Sequence, residues 1–242
     1  MHFNHSDLIN LPNRYRANLI NSSSGYRPSN LLGTKSLNGV TNLGIFNSIT
    51  HIGSNPAMLG FILRPLTVRR DTYNNIKSTG FFTVNHVNSS ILEQSHQTSA
   101  KYGETTSEFE KTGLTEEYLD GFQAPYVRES HIKLGCSYVN EYPIKENGCI
   151  MVIGAIEHLY LPENAIFDDG SMDLESAQSI ANIGLDGYAL PKLLKRFAYA
   201  RPTVKTEEKK WPIKSFILPL KSAPFVDFRL YGEKNGKENG KP

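Results

Sequence analysis

Apolar residues in this chain fall into short runs and alternating stretches that end at turn signals, which is the pattern of β-strands. Strands are predicted over residues 30–34, 40–51, 58–63, 81–87, 131–141 and 149–161. Asn-Gly pairs at 38–39 and 147–148 favour tight turns between neighbouring strands. Because strands and helices do not alternate regularly, the chain is predicted to be mainly β with helical inserts. A closed or nearly closed barrel is favoured over a doubly wound parallel sheet.

The segments between these strands contain short helical patterns. One helix begins at Asp71-Thr72, with Tyr73 and Ile76 facing inward, and ends at residues 78–80. We expect Asp71 to be its N-cap. Further short helices are predicted from Ser89 or Ser90 toward Tyr102, over 106–110 with an end at 112–113, and on both sides of the Gly- and Pro-containing region 183–191.

Three arginines, Arg64, Arg69 and Arg70, lie between the strand at 58–63 and the helix that begins at Asp71. The first N–H groups of a helix lack internal partners and carry the positive end of the helix dipole. Guanidinium groups add charge-assisted donors that match phosphate oxygens. This combination predicts a phosphate site, while the same residues would equally form a solvated, arginine-rich turn before a capped helix.

The composition is that of an ordinary globular protein. The 242 residues include 39% hydrophobic and 21% charged side chains, enough to bury a substantial core. A formal net charge of +2 gives no argument for nucleic-acid binding. No run is long enough to span a membrane, and the polar N-terminus does not resemble a signal peptide. We therefore expect a cytoplasmic protein without nucleic-acid or membrane partners.

The cysteines and histidines form no recognisable redox or metal motif. Cys136 and Cys149 lie in apolar stretches without a CxxC pair, and we expect them to be small buried hydrophobic residues. The seven histidines show neither HxxxH nor HExxH spacing, so no metal site is predicted. His51 and His86 are expected to be structural, hydrogen-bonded residues rather than ligand contacts.

The sequence after residue 201 differs from the rest. Residues 202–231 combine charges and prolines with apolar positions such as Trp211 and Phe225, and they predict an extended apolar arm packed on the barrel or on a partner subunit. Residues 232–242 are a low-complexity run of Gly, Lys, Asn and Glu that is predicted to be disordered. Residues 1–201 are left as the folded domain.

A series of short motifs follows one another over residues 13–200. In order they are Asn42, Gly44, Phe46, Asn47 and Ser48; Asn55-Pro56; Arg64, Arg70, Asp71 and Thr72; Gly80, Phe82 and Val84-Asn85; residues 99–103 and 107–115; residues 168–170; and Gly187-Tyr188. This order resembles the flavin reductase-like family, which shares the FMN-binding split β-barrel. The departures are mild: many members have Ser-Ser or Ser-Phe at 47–48 and Pro-Pro at 55–56.

The resemblance implies FMN held at a homodimer interface and reduced by NADH or NADPH. It assigns the phosphate to Arg70 and Thr72, with Arg69 or Arg64 assisting. The pyrimidine edge of the flavin needs hydrogen-bond donors. The resemblance places this edge along residues 46–50 and the nearby Asn42, which gives the candidates Asn42, Phe46, Asn47, Ser48, Ile49 and Thr50. Aromatic walls for the ring are expected from Phe46, Tyr102 and Tyr188.

Hydride transfer from nicotinamide C4 to flavin N5 requires stacking and exclusion of water but no protein nucleophile, so no catalytic residue is predicted. The favoured function is an FMN-dependent NAD(P)H:flavin oxidoreductase that acts as a homodimer. An FMN-binding electron carrier supplied by a protein donor is one alternative. A split barrel without flavin that serves as an interaction module is another. The electron acceptor is left open between a small molecule and a partner oxygenase.

Overall fold

The structure, a computed structural model, describes residues 1–209; the predicted disordered tail and most of the predicted arm lie outside the described residues. The helices are α1 (His5–Asn10), α2 (Asn13–Ser23), α3 (Asp71–Thr79), α4 (Leu92–Gln97) and α5 (Glu108–Thr112), with single 3₁₀ turns at Ser89–Ile91 and Glu163–Ala165. The strands are β1 (Arg27–Pro28), β2 (Asn30–Lys35), β3 (Thr41–Phe46), β4 (Thr50–Ser54), β5 (Ala57–Leu63), β6 (Phe81–His86), β7 (Glu116–Glu117), β8 (Tyr126–Val127), β9 (Lys133–Ile144), β10 (Cys149–Tyr160), β11 (Ala181–Ile183) and β12 (Gly187–Ala189).

Seven strands form one antiparallel sheet in the order β3-β2-β6-β9-β10-β5-β4. Its two edge strands, β3 and β4, are consecutive in the chain and are separated only by residues 47–49. A flat sheet of this width would hold its edges about 29 Å apart, whereas four residues of extended chain reach about 14 Å at most. The sheet must therefore curl until its edges meet. The prediction of a mainly β, split-barrel fold is confirmed.

The inside of the barrel is filled by apolar side chains from strands around its wall. Phe61 lies at the centre, with ring centroids 5.4 Å from Phe46 and 5.7 Å from Phe82 in edge-to-face contact. Cys136 is fully buried in this core, as predicted, and burial raises the pKa of its thiol. Cys149 is only partly buried.

Helix α3 forms where predicted, and its C-terminus is a left-handed glycine, Gly80 (φ 80°), whose N–H donates to Ile76 O. Its N-terminus differs from the prediction. Arg70 occupies the N-cap position and no side chain caps the helix, while Asp71 is the first helical residue. The Asp71 carboxylate instead accepts from Arg69 Nε at 2.5 Å. The uncapped amides of α3 thus stay available.

Several other elements differ from the sequence predictions. The single strand predicted over 40–51 is broken into β3 and β4 at the barrel closure. The 3₁₀ turn before α4 is capped by the Asn88 side chain rather than by Ser89 or Ser90. The region 183–191 is part of a β11–β12 hairpin, and in the described chain no helix occurs after residue 165. Helices α1 and α2 were not predicted, because they contain no buried residue and their sequences therefore lack a helical apolar periodicity.

The described start of the predicted arm is held by charge rather than by apolar packing. Arg196 Nη2 and Lys209 Nζ approach the same carboxylate oxygen of Asp169 at 2.8 and 2.9 Å. Hydrogen bonds from Ser171, Lys209 and Arg196 hold the pKa of Asp169 well below its usual range. Residues 202–209 are all exposed. Packing of the arm on a partner subunit stays a prediction.

Candidate functional site

A cleft of about 590 Å³ opens beside the edge strand β3. Its walls are β3, the turn that leads into α3, the segment from His96 to Glu104 and the β11–β12 hairpin. This volume lies within the range of small-molecule sites. Most of the predicted site residues line the cleft: Asn42, Phe46, Asn47, Ser48, Arg64, Arg69, Arg70, Thr72, Tyr102 and Tyr188. Ile49 and Thr50 do not.

One end of the cleft is built to receive an anion. The first backbone bond of α3 runs from Asn74 N to Arg70 O, which leaves the N–H groups of Asp71, Thr72 and Tyr73 without helical partners. Arg70 Nε is buried there and has no hydrogen-bond partner. A buried guanidinium donor without an acceptor is costly unless a ligand completes it. These donors match the phosphate site that the sequence predicts.

Arg69 is already engaged by two carboxylates. Its Nε lies 2.5 Å from Asp71 Oδ1, and its Nη1 lies 2.5 Å from Glu104 Oε1. The hydrogen bonds to Asp71 and Glu104 raise the pKa of Arg69. Arg64 lines the cleft and is exposed. Arg70 is therefore the arginine placed to hold an anion deep in the cleft.

A chain of hydrogen bonds connects three elements below the anion end. Thr72 Oγ1 donates to Asn42 Oδ1 at 2.7 Å, and Asn42 Nδ2 donates to Glu108 Oε2 at 2.9 Å. Glu108 Oε2 also accepts from Leu43 N at 2.9 Å. Burial raises the pKa of Glu108, against the opposing effect of these hydrogen bonds. Glu108 was not among the predicted site residues; the only signal was its position in the family-like segment 107–115.

Strand β3 forms one side of the cleft. Asn42, Gly44 and Phe46 share one face of the strand, since side chains alternate. A Cβ on Gly44 would lie 3.2 Å from the Phe46 ring and 3.6 Å from Thr72 Oγ1, so glycine lets these two side chains pack closely over the strand. Because Leu43 N points away from β2 toward Glu108, the N–H of Ile45 points outward at the same free edge.

Residues 47–50 serve mainly to close the barrel. Ser48 Oγ accepts from Ile62 N and donates to Ile62 O, both at 3.1 Å, and so ties the β3–β4 connection to β5. Asn47 Nδ2 donates to Gly184 O at 3.4 Å. Ile49 packs against the barrel core, and Thr50 is exposed in β4. The side chains of Asn47 and Ser48 line the cleft, but their hydrogen bonds are made to backbone groups of the protein.

Aromatic and polar side chains form the opposite wall. The Tyr188 hydroxyl lies 2.8 Å from His96 Nδ1, and the two rings meet edge to face. Burial raises the pKa of Tyr188. The Tyr102 hydroxyl accepts from Gln97 Nε2 at 3.0 Å. Asn182, only 3% exposed, also lines the cleft, and its Oδ1 has no hydrogen-bond partner. No sequence signal pointed to His96 or Asn182.

The other expectations concern residues outside the cleft. His86 Nδ1 lies 3.1 Å from Ser179 Oγ, and burial lowers the pKa of His86 to about 4, as suits a structural histidine. His51 is exposed in β4. Among residues 1–209, no group of three or more His, Cys, Asp or Glu side chains is arranged to hold a metal ion. None of the helices in that part of the chain is long and apolar enough to cross a membrane.

The curled sheet and its cleft define a split-barrel protein whose cleft has unpartnered hydrogen-bond donors at one end and an aromatic wall. Residues 27–173 match the family model described as flavin reductase like domain, and the chain belongs to this family. It is 46% identical to a proposed flavin reductase with split barrel domain from Shewanella frigidimarina NCIMB 400. The two structures align with a TM-score of 0.80 over 83% of this chain and 100% of the other.

Two further relatives extend the comparison. Nitrilotriacetate monooxygenase component B from Bacillus cereus shares the fold, with a TM-score of 0.70, 22% identity, and coverage of 82% of this chain and 98% of the other. An uncharacterised protein of Halalkalibacterium halodurans is 28% identical over 184 residues, which is 74% of this chain and 87% of the relative. Family membership supports a flavin cofactor and oxidoreductase activity.

Proposed function

We propose that this protein binds FMN and acts as an NAD(P)H:flavin oxidoreductase. The observation that carries the proposal is the buried, unpartnered Nε of Arg70 beside the free amides at the N-terminus of α3. A terminal phosphate supplies the acceptors that these donors lack. These donors lie at one end of a cleft whose other lining residues are a mixture of apolar, aromatic and polar side chains. Such a mixture suits a flavin, which has a flat ring and polar ring edges.

The remaining features of the cleft support FMN in particular ways. The outward N–H of Ile45 is placed to donate to a polar ring edge. Tyr102 and Tyr188 supply aromatic walls, and Arg64 at the exposed rim adds positive charge. Together these residues would bind and orient the cofactor and exclude water from one of its faces.

When bound, FMN would supply the redox chemistry by accepting a hydride at N5 from NADH or NADPH. The chain itself needs no nucleophile for such a step; it must hold the two ring systems face to face. Among the residues that line the cleft, Phe46, Tyr102 and Tyr188 are the candidates to hold the rings in place. In this proposal the protein works in the cytoplasm as a homodimer. It passes its electrons to a small-molecule acceptor or to a partner oxygenase.

The test is anaerobic reduction of the FMN-loaded protein by each nicotinamide, followed by visible absorption. We expect rapid loss of the oxidised-flavin absorption with NADH or NADPH. Full bleaching by dithionite but not by either nicotinamide would instead favour the electron carrier. Colourless protein that fails to bind added FMN would contradict flavin binding and favour the interaction module.

A further inference from the structure

A second, smaller cavity of about 130 Å³ adjoins the anion end of the cleft. Its own lining is largely polar and includes Ser36, Asn38, Thr41, Asn75, Thr105 and Thr106. The two cavities share four lining residues: Asn42, Arg69, Asp71 and Glu104. These shared residues form a wall between the cleft and the side cavity.

The wall is an ion-pair cluster. Arg69 lies 2.5 Å from both Asp71 and Glu104, and so joins the start of α3 to the segment that follows α4. The side chains of Arg69 and Glu104 are 49% and 62% exposed, and exposed ion pairs contribute little to stability. One guanidinium also faces two carboxylates, which leaves the wall with a net negative charge. It is closed by contacts that are easily broken, and it repels anions that approach from the cleft.

The consequence concerns which flavin nucleotide the cleft accepts. In FMN the phosphate ends the molecule, so it can be held by Arg70 and the amides of α3 without reaching further. In FAD a second phosphate and an adenosine continue from that point. Extension from the first phosphate toward the side cavity passes Arg69 and Glu104, where both the ion pair and the surplus carboxylate charge oppose entry.

We propose, on the basis of the flavin-binding function above, that the Arg69–Glu104 ion pair determines cofactor specificity by restricting the cleft to a flavin with a terminal phosphate. Opening the pair connects the cleft to the polar side cavity of about 130 Å³, which has room for the second phosphate of a dinucleotide while the adenosine extends toward solvent past the exposed Glu104. In this proposal Arg69 belongs to the wall between the two cavities, and Arg70 is the arginine that holds the phosphate.

The experiment measures the dissociation constants of FMN and of FAD for the wild type and for Glu104→Gln. Both flavins carry comparable negative charge, so the general electrostatic gain from losing Glu104 cancels in their ratio, and the change that remains reports the second phosphate of FAD at the wall. We expect the wild type to prefer FMN by about tenfold or more, and Glu104→Gln to reduce that preference by about fivefold or more. Glu110→Gln, an exposed change on α5 outside both cavities, is the matched control and should keep the wild-type ratio.

The outcomes separate the two levels of the argument. Tight FMN binding with equal affinity for FAD in the wild type, or with an unchanged ratio in Glu104→Gln, would overturn the specificity wall and leave the proposed function standing. Failure of the wild type to bind either flavin would overturn the proposed function and the wall together.

Discussion

Thr72 donates its only hydroxyl proton to Asn42, with Oγ1 lying 2.7 Å from Asn42 Oδ1. The amide orientation of Asn42 is fixed because its Nδ2 faces Glu108, a carboxylate acceptor, at 2.9 Å. The hydroxyl of Thr72 therefore has no proton left for a phosphate. The group that Thr72 offers at the anion end of the cleft is its backbone N–H, whereas the sequence prediction counted both the hydroxyl and the backbone as phosphate contacts.

Thr72→Val tests this assignment. The variant keeps the backbone N–H and the shape of the side chain but removes the donor to Asn42. We expect FMN affinity to change by less than about threefold, while the free energy of unfolding falls by about 0.5–1.5 kcal/mol because Asn42 Oδ1 loses the shorter of its two hydrogen bonds and keeps the one from Thr34 Oγ1 at 3.4 Å. Fluorescence titration and urea unfolding measure the two effects. A loss of affinity of about tenfold or more would show that the hydroxyl itself contacts the ligand.

Arg70→Ala removes the unpartnered donor at the anion end. We expect the FMN dissociation constant to rise by an amount equivalent to about 1.5–3 kcal/mol, the range for a charge-assisted hydrogen bond. Arg14→Ala, an exposed change on α2, is the control for loss of one positive charge. Equal affinities for Arg70→Ala and the wild type in equilibrium titration would place the phosphate elsewhere.

Ser48→Ala tests the barrel closure rather than the ligand. The variant leaves both Ile62 N and Ile62 O without the partner that Ser48 Oγ supplies at 3.1 Å. We expect the free energy of unfolding to fall by about 1–3 kcal/mol, for two lost hydrogen bonds. Ser54→Ala in the exposed part of β4 should cost much less in the same urea series. A cost no larger than that of Ser54→Ala would argue against this role.

His86 predicts a pH dependence of stability. Its pKa is lowered to about 4 in the folded state, whereas an unfolded histidine has a pKa of about 6.5. The folded state thus favours the neutral ring, so this stabilisation is complete above pH 6.5 and is lost as the pH falls toward 4. The loss amounts to at most about 3 kcal/mol.

Urea unfolding between pH 4 and 8 compares wild type, His86→Asn and His51→Asn, the last being an exposed histidine in β4. We expect a shallower acid limb only for His86→Asn. An acid limb of wild-type slope in His86→Asn would mean that other groups cause it.

The sequence was sufficient for the features that local patterns encode. The apolar runs of β2, β5 and β6, the Asn-Gly turns and the glycine end of α3 at Gly80 could all be predicted, because each depends on neighbouring residues. The position of Arg70 in the cleft at the start of α3 also followed from local order, since a strand end and a helix start fix its place. Helices α1 and α2 escaped because they bury nothing.

The contributions that could not be predicted come from contacts between distant segments. Glu108 reaches Asn42 across more than sixty residues of chain, and Tyr188 meets His96 across an even longer separation. Asp71 was expected to cap α3 on local grounds, but the neighbouring Arg69 competes for its carboxylate. The double role of Ser48 depends on the pairing of β4 with β5, which no pattern within residues 46–50 discloses.

The closure of the sheet also has a consequence for how a ligand affects stability. The cleft is walled by strand β3 and by the β11–β12 hairpin, which lie more than a hundred residues apart in the chain. The unfolded chain therefore offers no partial version of this site. A ligand that binds there stabilises only the folded state, by an amount that grows with its concentration above the dissociation constant.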